Sequence, residues 1–301
     1  MGILLALLAG AFIPLTNLTI RKSIDLGGSA KAYFVFQMSF SFLFALLLGP
    51  IKNGDFSIPL PTAILGAIAG LILSIMLFSL GRAVEKGPPG FTFAILNSAT
   101  VMPGLLMALI FGAAQGFVYN TWHALGSILV LMGLFWGAKG FQGMKEMKTW
   151  LLFATCTFTF HVLLLSLYQW RGMLMKSPDS ASIQSEWFTP FMFLAGALVQ
   201  LFIYLRSSEP KPKSGEVLYG MAGGASNLLC TFFIIWAVET ALPLENAVIY
   251  PIFSIMGIIL TNLWGQKLYQ EQVNWRACQL SVFGLFVGTV DWKAVSAAIG
   301  F

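Results

Sequence analysis

The chain alternates long apolar runs with short polar connections. The runs lie near residues 2–20, 32–50, 61–82, 90–112, 120–138, 149–170, 186–206, 216–238, 244–266 and 273–292. Each is about as long as a helix that crosses a bilayer, roughly 17–25 residues, and soluble helices would show an apolar stripe instead. None has the period-two alternation of barrel strands, and lipid offers no partner to an open backbone, so the runs must be helices. The stretch from Gly87 to Ala138 carries no Asp, Glu, Lys or Arg, and its most turn-like part, Ala113 to Asn120, divides it in two. The pattern predicts an all-α polytopic membrane protein of ten transmembrane helices. Pro61, Pro89 and Pro243 stand at helix starts, where a missing N–H costs little. Pro14, Pro103, Pro190 and Pro251 lie farther in, and Pro103 and Pro251 are expected to kink their helices in mid-membrane. Trp122, Trp150, Trp187, Trp275 and Trp292 fall near the ends, as an aromatic belt would.

Composition excludes a soluble protein. Of 301 residues, 57% are hydrophobic and 10% charged, against roughly 25% charged in soluble domains. Cys156, Cys230 and Cys278 all lie in apolar runs, without disulfide or metal-ligand spacing. The net charge of +5 comes from basic residues that flank apolar runs singly or in pairs. No basic patch with interleaved aromatics is present, so nucleic acid is not an expected partner. The first twenty residues hold no Lys or Arg and read as a first span, not a cleaved signal. Ala6 stands where myristoylation needs Ser or Thr. Thirteen of the 17 basic residues fall in loops after odd-numbered spans, from Arg21 to Arg276. The positive-inside rule then puts both termini outside the cytoplasm in a multi-pass inner or plasma membrane protein.

Two short matches recur. Ala83-Val84-Glu85 returns as Ala237-Val238-Glu239, and Gly133-Leu134-Phe135-x-Gly137 as Gly284-Leu285-Phe286-x-Gly288, about 150 residues apart. They divide the chain into 1–145 and 146–301, five spans each. Five is odd, so two such halves would face opposite ways. Inverted repeats are common in secondary transporters, whose sites lie near the midplane between the halves.

In this 5+5 arrangement, and in segments 81–138 and 236–290, the sequence resembles the ten-span EamA-like branch of the drug/metabolite transporter superfamily. It reads Gly112-Ala113 and Gly265-Gln266 where that family often has Gly-Glu. The resemblance implies carriage of a small metabolite such as an amino acid, nucleobase or sugar. Many relatives of this kind are assigned cytoplasmic termini, opposite to the charge count.

His161, at mid-depth in span six, is the ionisable side chain placed farthest from water. An intramembrane ionisable group is a functional candidate, and an imidazole titrates near neutrality, so His161 is the candidate for proton coupling. The plainer alternative is a neutral ring bonded to a carbonyl of a neighbouring helix. Asn17, Asn97, Asn227 and Asn262 occupy spans one, four, eight and nine, which the resemblance makes cavity-lining. Amides suit a neutral or zwitterionic solute, but also hold helices together. Asn97, Ser98 and Thr100 are the densest polar cluster, and the repeat maps Thr100 to Ser254 and Leu96 to Tyr250. The candidate substrate-binding set is therefore Asn17, Asn97, Thr100, His161, Asn227, Tyr250, Ser254 and Asn262.

Glu85, Glu239 and His123 read as interfacial, and Gly66-x-x-x-Gly70, Gly220-x-x-Gly223-Gly224 and Gly284-x-x-x-Gly288 as close helix contacts. Without a Walker A or dinucleotide motif, no cofactor or ATP drive is expected. A metal site is not expected either. The partners expected are a small-molecule solute and the bilayer, with a homodimer as an option. The leading reading is a secondary carrier working by alternating access. An integral membrane enzyme, or a channel or receptor without carrier activity, stays open beside it.

Overall fold

A computed structural model describes residues 1–112, 120–138, 145–174, 186–240, 243–290 and 292–299. They form an all-helical bundle, 86% helix with no strand among them. The order is α1 (Gly2–Asp25), α2 (Ala30–Leu46), α3 (Leu60–Lys86), α4 (Pro89–Ser98), α5 (Pro103–Phe111), α6 (Thr121–Ala138), α7 (Met147–Leu174), α8 (Phe188–Leu205), α9 (Ser214–Thr240), α10 (Pro243–Tyr269), α11 (Trp275–Thr289) and α12 (Trp292–Ile299). A π turn, Leu47–Ile51, extends α2, and a 3-10 turn, Ala99–Val101, joins α4 to α5. Among the described residues, seven segments are long and apolar enough to cross a membrane: α1, α2 with its π turn, α3, α4 through α5, α7, α8 and α9. Thr121–Gly137 is a shorter apolar helix. The chain reads as a multi-pass membrane protein.

Local chemistry sets the helix ends. Ser29 accepts from the N–H groups of Lys31 and Ala32 and so caps α2. Asn274 does the same for α11 through Ala277. Asn120 accepts from the His123 N–H while the His123 ring accepts from the Asn120 N–H, which closes the start of α6. Proline occupies the first turn of α3, α4 and α5. The two expected mid-membrane distortions come out differently. The chain breaks ahead of Pro103, whereas α10 runs unbroken through residue 251. The turn expected at 113–119 lies outside the described residues.

Apolar residues face both ways, as lipid solvent requires. Leu4, Leu8, Leu15, Leu109, Leu152 and Phe135 are exposed, while Asn17, Gln37, Ser74, Thr157 and Gln200 are buried. Inside, the most extensive contacts are α1 with α9 and α10, α2 with α8 and α9, α3 with α7 and α8, α6 with α11, and α4 with α10. Glycines allow several of them. Gly66 and Gly70 lie against α8 backbone at Phe188 and Met192, Gly220 and Gly224 against α2 around Phe36 and Gln37, and Gly284 and Gly288 against Gly126 and Val130 of α6. Buried polar groups add staples: Ser74 donates to the Gly196 carbonyl at 2.9 Å, and Gln200 to the Ser74 carbonyl at 2.8 Å.

The connections fall into two groups. Lys213 donates to the Gly27 carbonyl, Lys31 pairs with Glu209, Lys86 pairs with Glu146, and Glu271 accepts from Gly90. These join the ends and links 21–31, 82–90, 145–148, 206–216 and 269–276. A second group joins the other ends: Asn53 donates to Glu186, Trp187 to the Asp55 carbonyl, and Phe111 stacks on Trp170. Trp122 packs against Trp292 there as well.

Candidate functional site

The break between α4 and α5 is where polar atoms gather. Proline cannot donate and crowds the preceding turn, so the chain tightens at Ala99–Val101 and the last carbonyls of α4 lose part of their helical partners. His161 of α7 reaches one of them, with Nδ1 2.7 Å from the Leu96 carbonyl. A carbonyl only accepts, so Nδ1 carries the hydrogen of this bond. The plainer sequence reading of His161 thus describes its contact. Asn97 and Ser98, next in the chain, are buried, and Asn97 Nδ2 and Ser98 Oγ have no hydrogen-bond partner. The Thr100 hydroxyl turns back to the Asn97 carbonyl at 3.0 Å.

Helix α10 faces this break. Ser254 is buried with its hydroxyl unpartnered. One turn on, Gly257 admits two neighbours: a β-carbon there would lie 3.2 Å from Asn97 Nδ2 and 2.8 Å from Ile13 Cδ1 of α1. Helices α1, α4 and α10 meet at this point. A further turn along, Asn17 donates to Thr261 at 3.3 Å, and Asn262 donates to the Ile258 carbonyl at 3.0 Å. The structure therefore brings Asn17, Asn97, Ser254 and Asn262 onto one seam, with His161 behind Leu96 and Thr100 just beyond the break. Asn227 stands apart on α9, half-buried, its carbonyl accepting from Thr231. The side chains of Tyr250 and Glu239 lie outside the described residues.

Thr261 is a partner that sequence reading missed, since nothing in its spacing says that it faces Asn17. One other expectation changes. Trp150 is no belt residue: it is fully buried against Gly87 and donates to Thr92 at 2.9 Å, because the short α3–α4 link draws α7 over it. His123 serves as a helix cap, as described above.

Below the seam, at the end where α10 turns into α11, a small cavity of about 30 Å³ is lined by Phe91, Ala94, Asn262, Glu271, Cys278 and Ser281. Both Glu271 oxygens accept from the Gly90 N–H, at 2.9 and 3.3 Å. Burial raises the pKa of this carboxyl above its ordinary value, and the Gly90 N–H and Arg21 pull it part of the way back. Glu271 was no sequence candidate. It stands in the short polar connection 270–274, and only the fold returns it to the bundle. On the same side a wider polar cleft of about 250 Å³ opens among Gly28, Ser29, Glu85, Glu209, Lys213 and Glu216. There the Glu216 carboxylate accepts from the backbone of Ser29 and Lys213.

No family model matches the chain, and no curated protein does. Fourteen chains of known structure match. One of them is a crystal structure of a protein 18% identical to this chain, with a TM-score of 0.57, covering 93% of this chain and 98% of its own. At that identity the likeness is one of fold: nearly the whole chain shares its architecture with a protein of matched length.

Proposed function

We propose that the protein is a secondary carrier that moves a small, uncharged or zwitterionic polar metabolite across the membrane by alternating access. The observation that carries this reading is the seam at the α4–α10 crossing. Buried Asn97, Ser98 and Ser254 present unpartnered polar atoms beside a broken helix. An unpaired polar atom in such surroundings costs about 1–3 kcal/mol, a cost that a hydrogen-bonding solute would offset. Asn97 Nδ2, Ser98 Oγ and Ser254 Oγ pair with no lysine, arginine or carboxylate, which suits a solute without net charge.

Ten crossings in two inverted halves are part of the proposal. Exchanging each of the first five helical units (α1, α2, α3, α4–α5, α6) for its counterpart among α7 to α11 turns the main contacts into one another. The α1–α9 contact becomes α7–α3, α2–α9 becomes α8–α3, and α1–α10 becomes α7 against α4–α5. The α2–α8, α4–α10 and α6–α11 contacts map onto themselves. That relation supports two related halves, and the two separate groups of connections support a chain that crosses at every unit. The basic residues concentrate in the first group, which favours placing that side in the cytoplasm.

The same features support the likeness to EamA-like drug/metabolite transporters. Where that pattern carries Gly-Glu and this chain Gly265-Gln266, the Glu271 carboxylate folds back over Gly265. The test is uptake by proteoliposomes of a panel of neutral and zwitterionic metabolites. Saturable uptake lost in Asn97→Leu and Ser254→Val supports the reading. Undiminished uptake in both variants, or none for any solute by well-folded protein, refutes it.

A further inference from the structure

Glu271 is a carboxylate that the fold turns inward. Gln270 before it has φ 53°, a left-handed conformation uncommon outside glycine. The Glu271 N–H then donates back to the Gly265 carbonyl at 3.3 Å, and the side chain lies across Gly265 onto the start of α4. Pro89 has no N–H, so Gly90 offers the first free amide of α4. Gly90 also lacks the β-carbon that would sit 2.6 Å from Glu271 Oε2.

Asn262 Oδ1 faces the same point, 3.6 Å from that β-carbon position. Its amide nitrogen is directed to the Ile258 carbonyl and to the Cys278 sulfur at 3.7 Å, so the oxygen is the atom turned toward the carboxylate. Glu271 Oε2 and Asn262 Oδ1 thus both approach the start of α4, beside a cavity whose walls include Phe91, Ala94, Leu134 and Ile258 together with Gln272, Asn274 and Ser281. Two acceptors brought to one part-buried point repel unless one carries a hydrogen.

We propose that Glu271 binds a proton and shares it with Asn262, and that this pair is the proton site of the carrier. The protonated carboxyl donates its O–H to Asn262 Oδ1 while its other oxygen keeps the Gly90 N–H, so every polar atom of the pair is satisfied. The word carrier rests on the transport reading above; the proton site does not.

The charged and titratable surroundings are few. Cys278 of α11 is the other titratable group on the cavity wall, and α4 and α6 contribute Gly90, Phe91, Ala94, Gly133, Leu134 and Gly137. Arg21 of α1 supplies the nearby positive charge, itself paired with Asp25 at 3.0 Å. Tyr269 of α10 covers Arg21 and Lys22. Burial outweighs the pull of Gly90 and Arg21 and so favours the protonated carboxyl.

The test is infrared difference spectroscopy of the full-length protein in liposomes, titrated with acid. A carboxylic C=O band should appear at a pH above the range of exposed carboxylates, vanish in Glu271→Gln and shift in Asn262→Leu. A band set identical in wild type and Glu271→Gln would overturn the proposal. Should Glu271→Gln not fold, Gly90→Ala crowds the carboxylate off its seat; loss of the band then supports the site, and an unchanged band refutes it. Proteoliposome uptake separates the two claims. A titrating band with no solute carried leaves the proton site standing and removes the transport reading. Uptake that responds fully to a pH gradient in Glu271→Gln removes the proton's role in carriage.

Discussion

His161→Phe isolates one hydrogen bond at the point where the fourth span breaks. The phenyl ring keeps most of the volume of the imidazole and loses the Nδ1–H that reaches the Leu96 carbonyl at 2.7 Å. That carbonyl lies in the last turn of α4, where the Ala99 N–H also approaches it. It is therefore left with one weak partner, not with none. A net hydrogen bond is worth about 0.5–1.5 kcal/mol and a fully orphaned buried group costs about 1–3. The residual Ala99 contact places the expected loss near the overlap, about 1 kcal/mol, or roughly fivefold in the folding equilibrium. Unfolding in mixed micelles with a denaturing detergent, followed by tryptophan fluorescence, reads this directly. His161→Gln keeps a donor of suitable reach and should recover most of the stability. If the ring also serves transport by holding the break in place, uptake should fall in His161→Phe and recover in His161→Gln. With the proton site at Glu271, His161→Gln should keep the pH dependence of uptake. A His161→Phe protein as stable as wild type, with unchanged uptake, would refute both the structural and the functional role.

Other perturbations reach different parts of the bundle. Gly70→Leu should destabilise by about 1–3 kcal/mol or more, since any β-carbon there collides with the Met192 carbonyl and Ala195; detergent unfolding checks it, and wild-type stability would show that α3 and α8 are not packed this closely. Trp150→Phe removes the donor to Thr92 and part of a fully buried ring system, and should cost about 1–3 kcal/mol in the same assay. Asp55 accepts from the Ser57 hydroxyl at 2.6 Å and the Ser57 N–H at 3.0 Å, which holds its carboxyl below the ordinary value. The order this lends to the 52–59 loop is full above the ordinary carboxylate pKa and is lost as pH falls through the lowered one. Limited proteolysis in acid should therefore speed up at this loop, and Asp55→Asn should flatten the response. Glu271 has the opposite sign. Its raised pKa makes acidification stabilising, in the window between the raised value and the ordinary one, and Glu271→Gln should abolish that gain in a pH series of detergent unfolding.

Much of this protein is determined by the order of its residues alone. Uncharged runs of bilayer length leave a helix as the sole way to satisfy the backbone, so the helices appear close to the expected bounds, from Gly2–Asp25 to Trp275–Thr289. The glycine spacings of α3, α9 and α11 likewise announced close packing, because a missing β-carbon is a local property. The break ahead of Pro103 was legible for the same reason. Pro251 shows the limit, since neighbouring helices decide whether a proline interrupts a helix or is carried within it. What only the tertiary structure decided is which polar groups meet. Asn17 finds Thr261, His161 finds Leu96 and Glu271 finds Gly90 across separations of 65 to 244 residues. No periodicity encodes such pairings; they follow from how helices cross. Trp150 and Glu271 make the point from opposite sides. Trp150 stands at a helix end, where sequence assigns an interface, yet is fully buried; Glu271 stands in a short polar link, yet lines the cavity beside α4 and α11.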